Sequence, residues 1–137
     1  MRRSPAVLFI GGVALACAHH GTPLDLRLDP LWGIDRPIQP SITGVADGIR
    51  VIGTAEASQS QCELAGQATR RGSTIEVSVV ATSWGPTNAI CRQVYELLVY
   101  VPAGRYNVVL RQGQVAVDGS NDVLWHQRWS DRVQVRE

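Results

Sequence analysis

Lysine is absent from this 137-residue sequence: all thirteen basic residues are arginine, set against twelve acids and three histidines. The exclusive use of arginine reads as a compositional bias with no function attached. The near-cancelling charge argues against a nucleic acid partner, which needs a basic face to displace its counterions. The motifs of the common chemistries are missing too, with no Gly-x-Ser-x-Gly elbow, no His-Glu-x-x-His and no phosphate-binding loop. No cofactor, no metal site and no catalytic residues are therefore expected. Helical periodicity is lacking as well, since no segment sustains apolar residues at 3.6-residue spacing. The longest apolar run, Pro5 to Ala16, is about a dozen residues, short of the roughly 20 that cross a bilayer as a helix.

That run follows Met1-Arg2-Arg3-Ser4, a short positive segment, and together they read as a signal peptide over residues 1–16. Its end, Val13-Ala14-Leu15-Ala16-Cys17, resembles the lipobox of bacterial lipoproteins, with Ala14 where leucine is commonest. The resemblance implies an acylated Cys17 as the first mature residue. It also implies a chain held to a membrane of the bacterial envelope by palmitate-like chains, facing the periplasm or placed in the outer membrane. Two or three acyl chains suffice for stable anchoring where one does not. The competing reading is an ordinary A-x-A cleavage site with Cys17 merely first. Cysteine parity favours the lipid, because an exported chain with three cysteines otherwise keeps an odd thiol. With Cys17 acylated, Cys62 and Cys91 pair as a disulfide. Without residues 1–16 the chain has eleven arginines and a formal charge of −1.

Residues 17–41 read as a tether, because Pro23, Pro30, Pro37 and Pro40 bias their neighbours toward extended backbone. His19 and His20, with no third ligand nearby, read as polar tether. One part is patterned: Leu24, Leu26 and Leu28 alternate with charged residues and lead to Trp32. Two readings stand for it. It lies back on its own domain over a sheet edge, or it docks on a partner protein.

Residues 42–137 read as one all-β domain, a small sandwich of seven or eight antiparallel strands with one disulfide. Strands are expected at 49–55, 62–69, 74–82, 91–101, 105–111, 114–117, 123–129 and 132–136. The third alternates Ile75, Val77, Val79 and Ala81 with polar residues, so one face is core and one is wet. The strand from Cys91 is apolar at both parities and reads as central. The segment Val101-Pro-Ala-Gly-Arg-Tyr-Asn-Val108 resembles the Pro-x-Gly-x-Tyr-x-Val turn of bacterial immunoglobulin-like and prealbumin-like sandwich domains. That resemblance implies a fold style and is silent on ligand.

Three further stretches carry residue types suited to chemistry or binding. Leu124-Trp-His-Gln-Arg-Trp129 reads as a strand with Trp125, Gln127 and Trp129 on one face and His126 and Arg128 on the other. Its tryptophans either pack on the core or stack on a sugar. Asp118-Gly-Ser-Asn-Asp122 reads as a hairpin turn, because the twelfth position that a calcium loop needs as glutamate is Trp129. In the loop Ser83 to Asn88, Trp84 either caps the core or anchors a protein-binding surface. The sum is an envelope lipoprotein acting as a non-enzymatic binding or accessory subunit of a larger assembly, with Leu24, Leu26, Leu28, Trp32 and Trp84 as contact residues. The alternatives are an inhibitor of a secreted hydrolase and a small-ligand or carbohydrate-binding module.

Overall fold

A computed structural model describes residues 21–34 and 36–137. The signal peptide expected over 1–16, the lipidated Cys17 and the pair His19 and His20 lie outside the described residues. Nine strands run in order: β1 (Thr22–Pro23), β2 (Leu26–Pro30), β3 (Ser41–Val45), β4 (Gly48–Ala57), β5 (Gln61–Arg71), β6 (Thr74–Trp84), β7 (Cys91–Tyr100), β8 (Gly104–Val115) and β9 (Val123–Val135). They form a β-sandwich of two sheets, ordered β1-β5-β6-β8-β9 and β2-β7-β4-β3.

Alternation decides the central strands. Ile75, Val77, Val79 and Ala81 of β6 are fully buried while Glu76 and Thr82, of the opposite parity, are exposed. Facing them across the sandwich are Tyr95, Leu97 and Val99 of β7 with Ile49 and Val51 of β4. As its two-sided apolar pattern requires, β7 lies inside its sheet, between β2 and β4. Full burial of each such side chain stabilises the fold by about 1.5–3 kcal/mol before chain entropy is counted.

The expected count of seven or eight antiparallel strands needs correction in two respects. Residues 105–111 join 114–115 in β8, with 116–117 left in the following turn, and 123–129 join 132–135 in β9, because ladder pairing continues through the polar positions between them. The remaining strands come from residues 22–45. One pair is also parallel: β7 crosses to the other sheet, so β8 returns beside β6 in the same direction.

The tether expected over 17–41 is corrected at residues 22–31, which join the sheets as the first of the two readings for Leu24 to Trp32 has it. Thr22 and Pro23 pair with Arg70 and Thr69 of β5, whereas Leu26 to Pro30 pair with Val99 to Tyr95 of β7. One continuous segment thus seals an edge of both sheets, changing sheet at Leu24 and Asp25, where the Leu24 N–H donates to Ala68 O at 2.9 Å. The physical reason is the period-two pattern: Leu24, Leu26 and Leu28 pack, half-buried, against the core. Beyond β2 the chain crosses to β3, held where Ile38 N–H donates to Thr54 Oγ1 at 2.9 Å.

On the other side β3 meets β9. The Asp47 N–H donates to Arg136 O and the Arg136 N–H donates to Val45 O. A β-carbon on Gly44 would lie 1.8 Å from the Gln134 carbonyl oxygen, so only glycine fits this crossing. At one end of the sandwich are the turns at 46–47, 72–73 and 101–103. There the Tyr106 hydroxyl donates to Pro102 O at 2.8 Å, locking the corner that the Pro-x-Gly-x-Tyr segment forms. At the other end are the loops 58–60, 85–90 and 116–122. The Cys62–Cys91 disulfide spans that end from β5 to β7, and so from sheet to sheet, with Cα atoms 5.9 Å apart.

Near this disulfide end the core turns polar. The fully buried Tyr95 donates its hydroxyl to Gln112 Oε1, and Gln112 Nε2 donates to Thr54 O at 2.9 Å and to Gln127 Oε1 at 3.2 Å. The side-chain polar atoms of buried Tyr95 and Gln112 all have partners, as burial demands. Burial pushes the Tyr95 phenol well above its ordinary value. The folded state therefore binds this proton more tightly than the unfolded chain does. Its contribution to stability is complete below the unfolded tyrosine value of about 10 and is lost as pH rises beyond it. Melting temperature is expected to fall steeply above about pH 10 in the native protein and less steeply in Tyr95→Phe. Equal slopes in the two would refute the assignment.

Candidate binding surface

Loops at the disulfide end are tied to one another. Gln59 Nε2 donates to Gly85 O at 2.9 Å, the Ser83 hydroxyl donates to Gln59 Oε1 at 3.1 Å, and the Ser60 N–H donates to Pro86 O at 2.9 Å. Ser58 is clipped to β8, its N–H donating to Gln114 Oε1 at 3.0 Å. The turn after Trp84 is thereby held in one geometry, and Trp84 projects from it 48% exposed.

Trp84 has company. Ile90, Val117, Leu124 and Trp125 are exposed large hydrophobic residues at the same end. Trp32, at 79% exposed, follows Leu31, whose N–H donates to Val94 O near the start of β7. Trp32 and the neighbouring Ile34 therefore also lie toward the disulfide end. Of the exposed large hydrophobics among the described residues, only Tyr100 lies at the opposite end. Single exposed apolar residues are ordinary, and their concentration at one end of a sandwich makes that end the candidate binding surface.

The Leu124–Trp129 segment is built differently from its expected alternation. Gln112 pairs with Gln127 and Gly113 pairs with Trp125, so His126 is the extra residue of a β-bulge. The bulge shifts parity by one. Gln127 and Trp129 face the interior side, opposite Gln112 and Leu110, and Trp125 joins Arg128 on the outer face. Trp125 covers Gly113, where a β-carbon would sit 3.0 Å from its Cε3, and Arg111 stacks 4.0 Å from the ring centroid. The expectation of Trp125 and Trp129 on one face is thus corrected by one inserted residue.

His126 faces an open cleft of about 310 Å³ between the splayed sheets, together with Ser58, Ile90, Gln112, Gln114 and Gln127. At its rim Arg92 Nε lies 2.7 Å from Glu56 Oε2. Amides and hydroxyls in this cleft can hydrogen-bond a polar group. Gln112 and Gln114 are already occupied in holding the two sheets together.

Of the five residues considered for partner contact, the structure brings Trp32 and Trp84 to the surface and turns Leu24, Leu26 and Leu28 inward. Ile90, Val117 and Leu124 were not singled out from the sequence, because isolated apolar residues in loops and strands look like core. The Asp118–Asp122 stretch is a turn, with Gly119 at φ 85° and Asn121 at φ 63°. The Ser120 hydroxyl and its N–H, the latter 2.9 Å from Oδ1, hold the Asp118 carboxyl below its ordinary value. No protein-family model matches this chain, and no curated protein or solved structure matches it either.

Proposed function

We propose that this protein is a non-enzymatic binding subunit of the bacterial envelope, anchored by lipid on Cys17 and engaging a partner protein with its disulfide end. The observation that carries the reading is the gathering of Trp32, Trp84, Ile90, Leu124 and Trp125 at the end opposite Thr22, where the described chain joins the sheet beside Arg70. From Cys17 to Thr22 the backbone reaches at most about 17 Å. An anchor at Cys17 would hold the Arg70 end near the lipid and direct the apolar end away from it.

The test is cross-linking in the membrane followed by gentle purification and intact-mass measurement. A stoichiometric partner and an acylated Cys17 are expected. Trp84→Ala combined with Ile90→Ala is expected to lose the partner with little change in melting temperature, since both side chains are about half exposed. Retention of the partner by that variant sinks the surface assignment, and an unacylated protein in the soluble fraction sinks the anchor.

A second reading, inhibition of a secreted hydrolase, draws on the restraint of loop 85–90 by Gln59 and Ser60. A loop held in its binding conformation loses less entropy on docking. It is distinguished by inhibition from the soluble domain alone that weakens in Trp84→Ala.

A further inference from the structure

The charges on the two outer faces are organised differently. On the β2-β7-β4-β3 sheet each outward arginine has a carboxylate partner: Arg27 with Asp29 at 2.9 Å, Arg50 with Glu96 at 3.3 Å and Arg92 with Glu56 at 2.7 Å. On the other sheet, β8 turns Arg105 and Arg111 outward, opposite in parity to buried Tyr106, Val108 and Leu110. Next to it β9 turns out Arg128, opposite Arg111, and Arg132, opposite Asn107. None of these four has a carboxylate within ion-pair distance among the described residues. By register the nearest acid on the face is Glu76 of β6, beside Val109.

Placing Arg111 directly across from Arg128 is unfavourable in the free protein, because like charges at facing positions repel. An anion bound between them removes that cost. At the far end of the stripe, Arg105, Arg132, Asn107 and Ser73 line a concavity of about 430 Å³. Arg105 spends its Nε on Gln134 Oε1 at 3.1 Å and keeps its terminal N–H groups. The two guanidinium sites are six residues apart along β8, which is about 20 Å.

We propose that this outer face of β8 and β9 binds a linear acidic polysaccharide, with one carboxylate seated between Arg105 and Arg132 and another at Arg111 and Arg128. Charge complementarity supplies the attraction. The neutral groups along the stripe, Asn107, Ser130 and the side-chain amide nitrogen of Gln134, supply hydrogen bonds for sugar hydroxyls. Nucleic acid fits less well, because the whole chain carries a net charge of only +1 and lacks the long-range field that draws a polyphosphate. The face lies along the sheet, apart from the clustered apolar end.

The purified full-length protein is titrated with polygalacturonate, followed by tryptophan fluorescence and thermal shift. Neutral dextran, polyglutamate and a single-stranded DNA oligomer run in parallel. Binding to polygalacturonate is expected, weakening with salt and raising the melting temperature. Losing a charge-assisted hydrogen bond weakens affinity about tenfold or more, so Arg105→Gln with Arg132→Gln should bind about a hundredfold less tightly. Arg128→Gln alone should bind about tenfold less tightly, and Arg27→Gln with Arg50→Gln should match the native protein. Absence of binding overturns the proposal. So does equal affinity for polyglutamate or DNA, or an equal loss in the Arg27 and Arg50 variant.

Discussion

Replacing Gly44 with alanine is expected to lower the melting temperature by about 15 °C, from a loss of about 3 kcal/mol. The added β-carbon meets the Gln134 carbonyl oxygen at 1.8 Å, and both partners are backbone. A flexible side chain could swing aside. Here β3 must move away from β9, breaking the pairing of Ala46 with Arg136 and opening that side of the sandwich. Gly66→Ala is the control, because its β-carbon would meet only methyl groups of Leu97, Leu28 and Leu26 at 3.1–3.5 Å. It should cost about 1 kcal/mol or less. Thermal melts of both variants decide the matter: equal losses would mean that contact with Gln134 is not what restricts residue 44.

Converting Cys62 and Cys91 together to serine is expected to cost about 3–4 kcal/mol, the chain-entropy value for a closed loop of this size. The cysteines are 29 residues apart and join β5 to β7. For a single domain whose net stability is about 5–15 kcal/mol, that is a large share. Native protein melted in reductant should fall to the level of the double variant. An unchanged melting temperature in either experiment overturns the staple. Partner capture by folded variant protein should weaken in parallel, since Ile90 adjoins Cys91 and its loop is the one the bond restrains.

How much of this was legible beforehand depends on the range of the forces involved. The interior of β6 could be read from Ile75 to Ala81, because alternation is a local property of the backbone. β7 could be read as central from its two apolar parities. The disulfide was expected once the lipobox resemblance set Cys17 aside and left Cys62 and Cys91 as the even pair. The bulge at His126 could not be read: nothing in Trp125-His126-Gln127 signals an extra residue, and its insertion depends on pairing with Gln112 and Gly113 in another strand. One such residue moved Trp125 to the outer face and altered which side chains reach the cleft. Gln112 and Gln114 were equally opaque. A glutamine at an inward position looks like a strand ending until Tyr95, Thr54 and Ser58 arrive from distant segments to satisfy it.

The leucines at 24, 26 and 28 show the opposite case. Their alternation was visible, but two surfaces could satisfy it, and only the vacant edges of β5 and β7 show which one does. A deletion of 24–32 therefore removes edge strands and uncovers core, and cannot serve as a neutral test of partner contact.

The pairing of β3 with β9 also fixes a sequence of events. Residues 45–47 find their partner at Arg136, some ninety positions later, and β6 finds its parallel neighbour only after β7 has been laid into the opposite sheet. Such distant pairings make folding slow, because loop closure precedes the contacts that reward it. While β9 is still being synthesised, β3 and β8 each have one bare edge. Growing chains are thus exposed to aggregation until β9 is available, and a chaperone that holds them open would be needed most at that stage.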